Sequence, residues 1–325
     1  MALVSIRTPA TTANLGPGFD CVGVALELYN ELEASWQTIT PFSGSELELA
    51  AWLQANSKIK ITGEGADELL DSGIGLFFQA LARLLTPAAS CPVNLTLSFN
   101  NDIPLARGLG SSAACIVSAL CLGREILATV GQKVELALLA AEATNLEGHP
   151  DNVLPALFGG ACLNIVRSKA LPLTLPLQIP SQLSFVFAVP ELRIRTTEAR
   201  RVLPQSVSLS EAVHNSALLG GLVLALMEKD LTHLAELIQS PLHIPYRSQL
   251  IPGYSDVEKA AYQLGAVAFT ISGAGPSVLA LTVNNSKEIG AAMVEAFKKA
   301  GVSARYFVSK VDNNGAMVEK GRLKA

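Results

Sequence analysis

Pro104-Leu-Ala-Arg-Gly-Leu-Gly-Ser-Ser-Ala-Ala114 is the most constraining stretch of this chain. Its glycines let the backbone turn tightly and come close to a ligand. The apolar run that follows Gly110, to about residue 129, has the length of a helix. The start of such a helix presents unpaired N–H groups and a positive dipole end. A phosphate can be held there without a basic side chain. Ser111 and Ser112 add hydroxyls, which equally suit a plain helix N-cap. Two other nucleotide motifs fit less well. A Walker A loop needs Gly-Lys followed by Ser or Thr, and no Gly-Lys dipeptide occurs here. Gly108-Leu-Gly110-Ser-Ser-Ala113 matches the dinucleotide fingerprint, but that fold wants a second strand ending in an acidic residue about 20 residues on. Here one helix runs into another, through Glu125 and Glu135.

Outward from the loop, the pattern alternates strands with helices. Segments 4–7, 22–28, 58–62, 93–98 and 159–166 read as strands, with Val22, Val24, Leu26 and Leu28 in strict alternation. Segments 76–85 and 134–144 read as helices. Residues 170–182 are rich in Leu and Pro, which marks a domain boundary or an edge strand. Beyond them, strands are expected at 183–189, 266–272, 277–283 and 302–309, and helices near 208–228, 230–239, 255–264 and 287–300. Strands mixed with paired helices in both halves predict two α+β domains, residues 1–172 and 173–325.

Composition narrows the function. Half of the 325 residues are apolar and 16% are charged, so a large core can be buried. The net charge is −4 without any run of Lys or Arg, which points away from nucleic acid and from anionic membranes. Residues 265–283 carry no charge, yet Ser-Gly-Ala-Gly-Pro-Ser interrupts them, so a buried strand–loop–strand is expected rather than a membrane span. The amino terminus has no basic stretch followed by an apolar one, so no signal peptide is expected. Cys21, Cys91, Cys115, Cys121 and Cys162 form no C-x-x-C pair and lie in apolar surroundings. Reduced thiols in a cytoplasmic protein are the expectation, and the four His residues do not gather near them for zinc.

Three further segments share a pattern with the glycine-rich loop. They are Pro9-Ala-Thr-Thr-Ala-Asn-Leu-Gly-Pro-Gly-Phe-Asp20, Glu147-Gly-His-Pro-Asp-Asn-Val153 and Ser272-Gly-Ala-Gly-Pro-Ser277. Singly, each has a plain structural reading: a turn, a helix cap and a hairpin connection. Together and in order, they resemble the GHMP kinase superfamily along nearly the whole chain. The amino-terminal segment is similar to the branch that phosphorylates L-homoserine. Mevalonate kinases carry a different segment there, with a lysine absent from this chain. The resemblance implies a nucleotide-binding GHMP domain followed by a ferredoxin-like one. Two departures stand out. Asp71-Ser-Gly-Ile-Gly-Leu-Phe-Phe78 lacks the asparagine that often opens the helix on the purine side, so no adenine contact is placed there. The interval from Glu142 to Asn152 is a residue shorter than in some relatives.

The resemblance also implies roles. ATP would lie on the loop formed by Pro104, Leu105, Ala106, Arg107, Gly108, Leu109, Gly110, Ser111, Ser112, Ala113 and Ala114. Ser112 and Glu142 would bind Mg²⁺, a hard cation that takes oxygen ligands. Asp20 and Asn14 would hold the amine of L-homoserine. Arg200 and Arg247 would hold its carboxylate, since a guanidinium grips a carboxylate at two points. Asn152 would orient the reacting hydroxyl. Asp151 either takes the hydroxyl proton or stabilises the transition state, and the residues alone leave both open. A homodimer is the family expectation.

Overall fold

In the computed structural model, which describes residues 2–70, 74–167 and 170–321, the amino-terminal motif is a turn that joins two strands into a hairpin. β1 (Ala2–Asn14) and β2 (Gly18–Trp36) pair antiparallel along their length, with Asn14 opposite Gly18. Both run well past the expected 4–7 and 22–28. Thr, Val and Ala fill them, and residues 8–14 are all buried. The reversal uses positive φ at Asn14 (73°), Leu15 (42°) and Gly16 (74°), a region that Asn and Gly enter most readily.

β3 (Thr38–Pro41) leads to α1 (Glu46–Asn56), β4 (Lys58–Gly63) and the short α2 (Ala66–Glu68). Then come α3 (Gly75–Leu85), β5 (Ser90–Val93) and β6 (Thr96–Asn101). The strand expected at 93–98 is thus two strands, broken at 94–95. β3 pairs with β5, and β4 lies parallel to β6. α4 (Ser111–Ala128), α5 (Leu136–Glu147) and α6 (Pro150–Phe158) precede β7 (Ala161–Arg167) and β8 (Ala170–Leu177). α3 and α4 bury their apolar faces against the first sheet, around Phe77, Phe78 and Phe99, whose rings meet edge to face. Asp71, Ser72 and Gly73 lie outside the described residues.

The second half opens with β9 (Ser184–Pro190). Its helices are α7 (Thr196–Arg201), α8 (Leu209–Glu228), α9 (Leu234–Leu237), α10 (Ile244–Arg247), α11 (Tyr254–Gln263) and α12 (Ser286–Lys299). Its other strands are β10 (Ala268–Ile271), β11 (Val278–Thr282) and β12 (Ala304–Ser309), followed by β13 (Met317–Gly321). Four strands pair antiparallel in the order β10-β11-β9-β12, the split β-α-β arrangement of ferredoxin-like domains. β10 and β11 are wholly buried, as expected for the uncharged stretch 265–283. The helix expected at 230–239 shrinks to four residues. Asp230 accepts from the N–H and hydroxyl of Thr232, a local turn that competes with helix at its start.

The first sheet recruits more chain than the 1–172 and 173–325 division allows. Its order is β13-β1-β2-β6-β4, with β7 added to β2 and β8 added to β7. Residue 172 falls inside β8, which stays paired to β7 as far as Leu177. β13 returns from the second half to pair with β1. The two prolines of β8 sit on an edge strand, where a missing N–H costs no ladder bond.

Candidate active site

A cleft of about 330 Å³ opens between the two halves and gathers all four motifs. The glycine-rich loop forms one wall with residues 105–112. Ala106 (φ 52°), Gly108 (φ 73°) and Gly110 (φ 70°) are all left-handed, so the loop is strongly curved. The helix that follows is not capped by its serines. Gly110 is the N-cap of α4, without a side-chain cap, and Ser111 and Ser112 are the first helical residues. The N–H groups at this helix start thus face the cleft with no side-chain oxygen on them.

The two loop glycines are dictated by neighbouring parts of the chain itself. A Cβ on Gly110 would lie 1.9 Å from Thr11 Oγ1, and one on Gly108 would lie 2.2 Å from the Ser272 carbonyl. The loop is therefore wedged between the hairpin and the third glycine motif. Thr11 N–H donates to the Leu109 carbonyl at 3.1 Å and Ser272 Oγ donates to the Gly108 carbonyl at 2.7 Å. Ser272 Oγ also meets Thr12 Oγ1 at 2.9 Å.

Of the residues expected on the nucleotide, Leu105, Ala106, Arg107, Gly108, Leu109, Gly110, Ser111 and Ser112 line the cleft. Ala113 and Ala114 do not. They are wholly buried, because the third and fourth positions of α4 turn into the core. Pro104 lines a neighbouring pocket with Arg107, Arg193 and Arg305 instead.

Glu142 is not beside Ser112. Its Oε2 accepts from Arg83 Nε at 2.7 Å, outside the cleft. Ser112 Oγ donates to Glu147 Oε1 at 2.7 Å, and both residues line the cleft. Five residues on a helix are a rotation of about 140° from alignment, so α5 cannot turn both carboxylates to one side. The carboxylate that meets Ser112 in the cleft is thus Glu147, which opens the Asp-Asn motif in the sequence, and not the expected Glu142. Burial raises its pKa above the ordinary carboxylate value, opposed by the Ser112 hydrogen bond.

α6 carries Asp151 and Asn152 into the cleft. Neither is a helix cap, since His149 is the N-cap and Pro150 starts the helix. Thr11 Oγ1 donates to Asn152 Oδ1 at 2.8 Å, which fixes the amide with its NH₂ toward Asp151 Oδ1 at 3.3 Å. His149 Nδ1 lies 2.5 Å from the same Asp151 oxygen. Burial opposes the protonation of His149, but the bond to Asp151 and the charges of Asp151, Glu147 and Asp20 outweigh it and raise its pKa. The sequence motif by itself gives His149 no role. Its contact with buried Asp151 is visible only in the fold.

Asn14, Asp20, Arg200 and Arg247 complete the cleft. Asn14 donates to the Gly273 carbonyl at 2.9 Å and accepts from the Asp20 N–H at 3.0 Å, so it positions Asp20. Arg200 grips Asp20 at two points, 3.0 and 2.8 Å. Arg247 is buried and donates to the carbonyls of Gly273 at 3.0 Å and Ala199 at 3.3 Å. Burial and the nearby Arg200 charge push its pKa down to about 10. Both guanidiniums lie over the Phe19 ring, at 5.7 Å for Arg200 and 5.0 Å for Arg247.

Known proteins share this arrangement. Residues 76–160 match the model of the GHMP kinases N terminal domain and residues 222–303 that of the GHMP kinases C terminal domain. The homoserine kinase of Carboxydothermus hydrogenoformans is 39% identical over 316 residues, covering 97% of this chain and 96% of that one. That of Moorella thermoacetica is 38% identical over 313 residues, covering 96% and 99%. The crystal structure of homoserine kinase from Cytophaga hutchinsonii superposes with a TM-score of 0.80 at 30% identity, covering 98% of this chain and 97% of that one. L. major mevalonate kinase in complex with R-mevalonate shares the fold alone, at a TM-score of 0.67 and 14% identity. With its four motifs on one cleft and these relatives matched over nearly its whole length, the chain belongs to the homoserine kinases of the GHMP kinase family.

Proposed function

We propose that this chain transfers the γ-phosphoryl group of ATP to the hydroxyl of L-homoserine, giving O-phospho-L-homoserine on the route to threonine. The observation that carries this reading is the placement of Asp20, Arg200 and Arg247 on the same cleft as the glycine-rich loop. A zwitterionic amino acid offers each member of the Asp20–Arg200 pair a substitute partner of the right sign. Its ammonium answers Asp20 and its carboxylate answers Arg200 and Arg247. An uncharged sugar or a mevalonate offers no ammonium for Asp20.

Phosphoryl transfer asks the protein for position and charge neutralisation more than for covalent chemistry. The curved loop and the uncapped start of α4 would hold the ATP phosphates through backbone N–H groups. Leu69, Leu76, Leu105 and Cys115 give the cleft an apolar side suited to the purine. Ser112 and Glu147 fit Mg²⁺, since both present oxygen donors to the cleft. When bound there, Mg²⁺ would neutralise charge on the transferring phosphoryl oxygens. Asn152, held by Thr11, presents its amide to the reacting hydroxyl. Asp151, tied to His149 and Asn152, sets the field around it.

A homodimer in the cytoplasm accompanies this reading. Leu209, Val213, Leu224 and Met227 of α8 and Leu171, Leu173 and Leu175 of β8 are exposed, and a second copy would cover them. α4 and α8 are long and apolar enough to cross a membrane; 67% of α4 is buried inside the fold, against 28% of α8. The test is an ADP-release assay against L-homoserine, mevalonate, shikimate and galactose. Turnover is expected with homoserine alone. A preference for mevalonate would overturn the substrate while leaving the kinase.

A further inference from the structure

A second cavity, of about 670 Å³, shares no lining residue with the cleft. It is bounded by Gly159 and Gly160 after α6, the connection 178–183 between the two sheets, the end of α8 and residues 310–313. About half of its wall is apolar, from Leu177, Ile179, Leu183, Leu226 and Val311, and half is polar. Two cations lie on the polar part of this lining, Lys229 and Lys310. Lys310 Nζ donates to the carbonyls of Leu183 at 2.9 Å and Ser181 at 3.2 Å. An ammonium has three donors, so one remains. Among the described residues, neither lysine pairs with a carboxylate. Glu27, exposed at the same cavity, leaves the lining with one net positive charge. That combination suits a small organic monoanion, a carboxylate carrying a short branched apolar body.

The cavity touches the cleft through one helix. Gly159 and Gly160 end α6, and Asp151 and Asn152 begin it, a separation of about 13 Å at 1.5 Å per residue. α6 is gripped at both ends. A Cβ on Gly23 would lie 1.6 Å from the Asp151 carbonyl, and one on Gly159 would lie 2.5 Å from Gly315 N. Gly160 N–H donates to the Asp312 carbonyl at 2.6 Å, and Ala316 N–H to the Leu157 carbonyl at 3.3 Å. So tightly packed a helix shifts as a body, and a push on its carboxy-terminal end is felt by the pair at its start.

We infer that this cavity is an effector site for a small apolar carboxylate, coupled along α6 to Asp151 and Asn152. The coupling half rests on the role assigned to that pair. Calorimetry on the full chain tests it with isovalerate as probe. Isoamyl alcohol, which lacks the charge, and inorganic phosphate, which lacks the apolar body, are the comparison arms. Isovalerate should saturate one site and bind at least about tenfold more tightly than either, the worth of one charged hydrogen bond. Lys310→Met and the exposed Lys229→Met should each weaken it by about tenfold. Lys229→Met keeps the test open should the Lys310 variant fold poorly. Adding homoserine with a non-hydrolysable ATP analogue should shift the isovalerate affinity to a plateau, by about fivefold or more, since coupling between two sites is reciprocal and bounded. Absent saturable binding, an unchanged affinity in both lysine variants, no shift on adding the analogue, or competition with no plateau each overturns the inference. Loss of isovalerate binding with homoserine turnover intact counts against this site alone. Intact binding in a protein that does not turn over homoserine counts against the proposed function alone.

Discussion

Replacing Arg200 by leucine separates catalysis from folding at the substrate end of the cleft. The Arg200 and Asp20 side chains are 39% and 35% exposed. So open a pair contributes only about 0–1 kcal/mol to stability, and Tm should barely move. The substrate effect should be larger. A hydrogen bond to a charged group is worth about 1.5–3 kcal/mol, so kcat/KM for homoserine should fall by roughly 10- to 150-fold. KM for ATP should hold, because Arg200 touches Asp20 and lies over Phe19 rather than the loop. Arg247 should behave differently. It is 2% exposed, and its loss strips hydrogen bonds from the Gly273 and Ala199 carbonyls. The Gly273 carbonyl keeps its bond from Asn14, but the buried Ala199 carbonyl loses Arg247 at a cost of about 1–3 kcal/mol, so Arg247→Leu should lower both Tm and kcat/KM. The assay is steady-state ADP release beside thermal melting, run with homoserine and with homoserinol, which lacks the carboxylate. Homoserinol should be a poor substrate for the parent protein and nearly indifferent to Arg200→Leu. If both substrates lose equally in that variant, the guanidinium does not read the carboxylate and the reasoning fails.

Glu147→Gln should abolish most turnover and raise the Mg²⁺ concentration needed for half-maximal rate, whereas Glu142→Gln should leave both nearly unchanged and cost only the surface tie to Arg83, up to about 1 kcal/mol. An inactive Glu142 variant beside an active Glu147 one would reverse the metal assignment. Gly110→Ala should lower Tm through a left-handed Cβ, about 1–2 kcal/mol, and through collision with Thr11, whose hydroxyl also holds Asn152. Melting at the parent temperature would show that the loop yields. Because the folded pKa of His149 is raised, its pairing with Asp151 stabilises fully below the ordinary imidazole range and is lost as pH rises through the raised value. Melting curves of the parent against His149→Gln should therefore diverge in acid and converge in alkali; parallel curves across pH would remove the charged pair.

How much could be read from the chain follows the range of each interaction. Strand alternation in 22–28, the helix after Gly110 and the turn glycines are local patterns, and they survive as β2, α4 and the loop. The order of four motifs was enough to place the chain in its family. The choice between Glu142 and Glu147 was not local in the same sense. It depends on the rotational phase of α5 against α4, and only the packed pair of helices sets that phase. Gly108 and Gly110 looked like room for a ligand, but the nearest atoms to their missing side chains belong to Ser272 and Thr11, distant in sequence. The Asp20–Arg200 ion pair spans 180 positions, and β13 crosses most of the chain to join β1. Residue types and their spacing decided the loop chemistry and the apolar core, since those follow from one element at a time. Which carboxylate meets which hydroxyl, and which arginine is buried, was decided by tertiary structure, because each depends on two surfaces that meet only after folding.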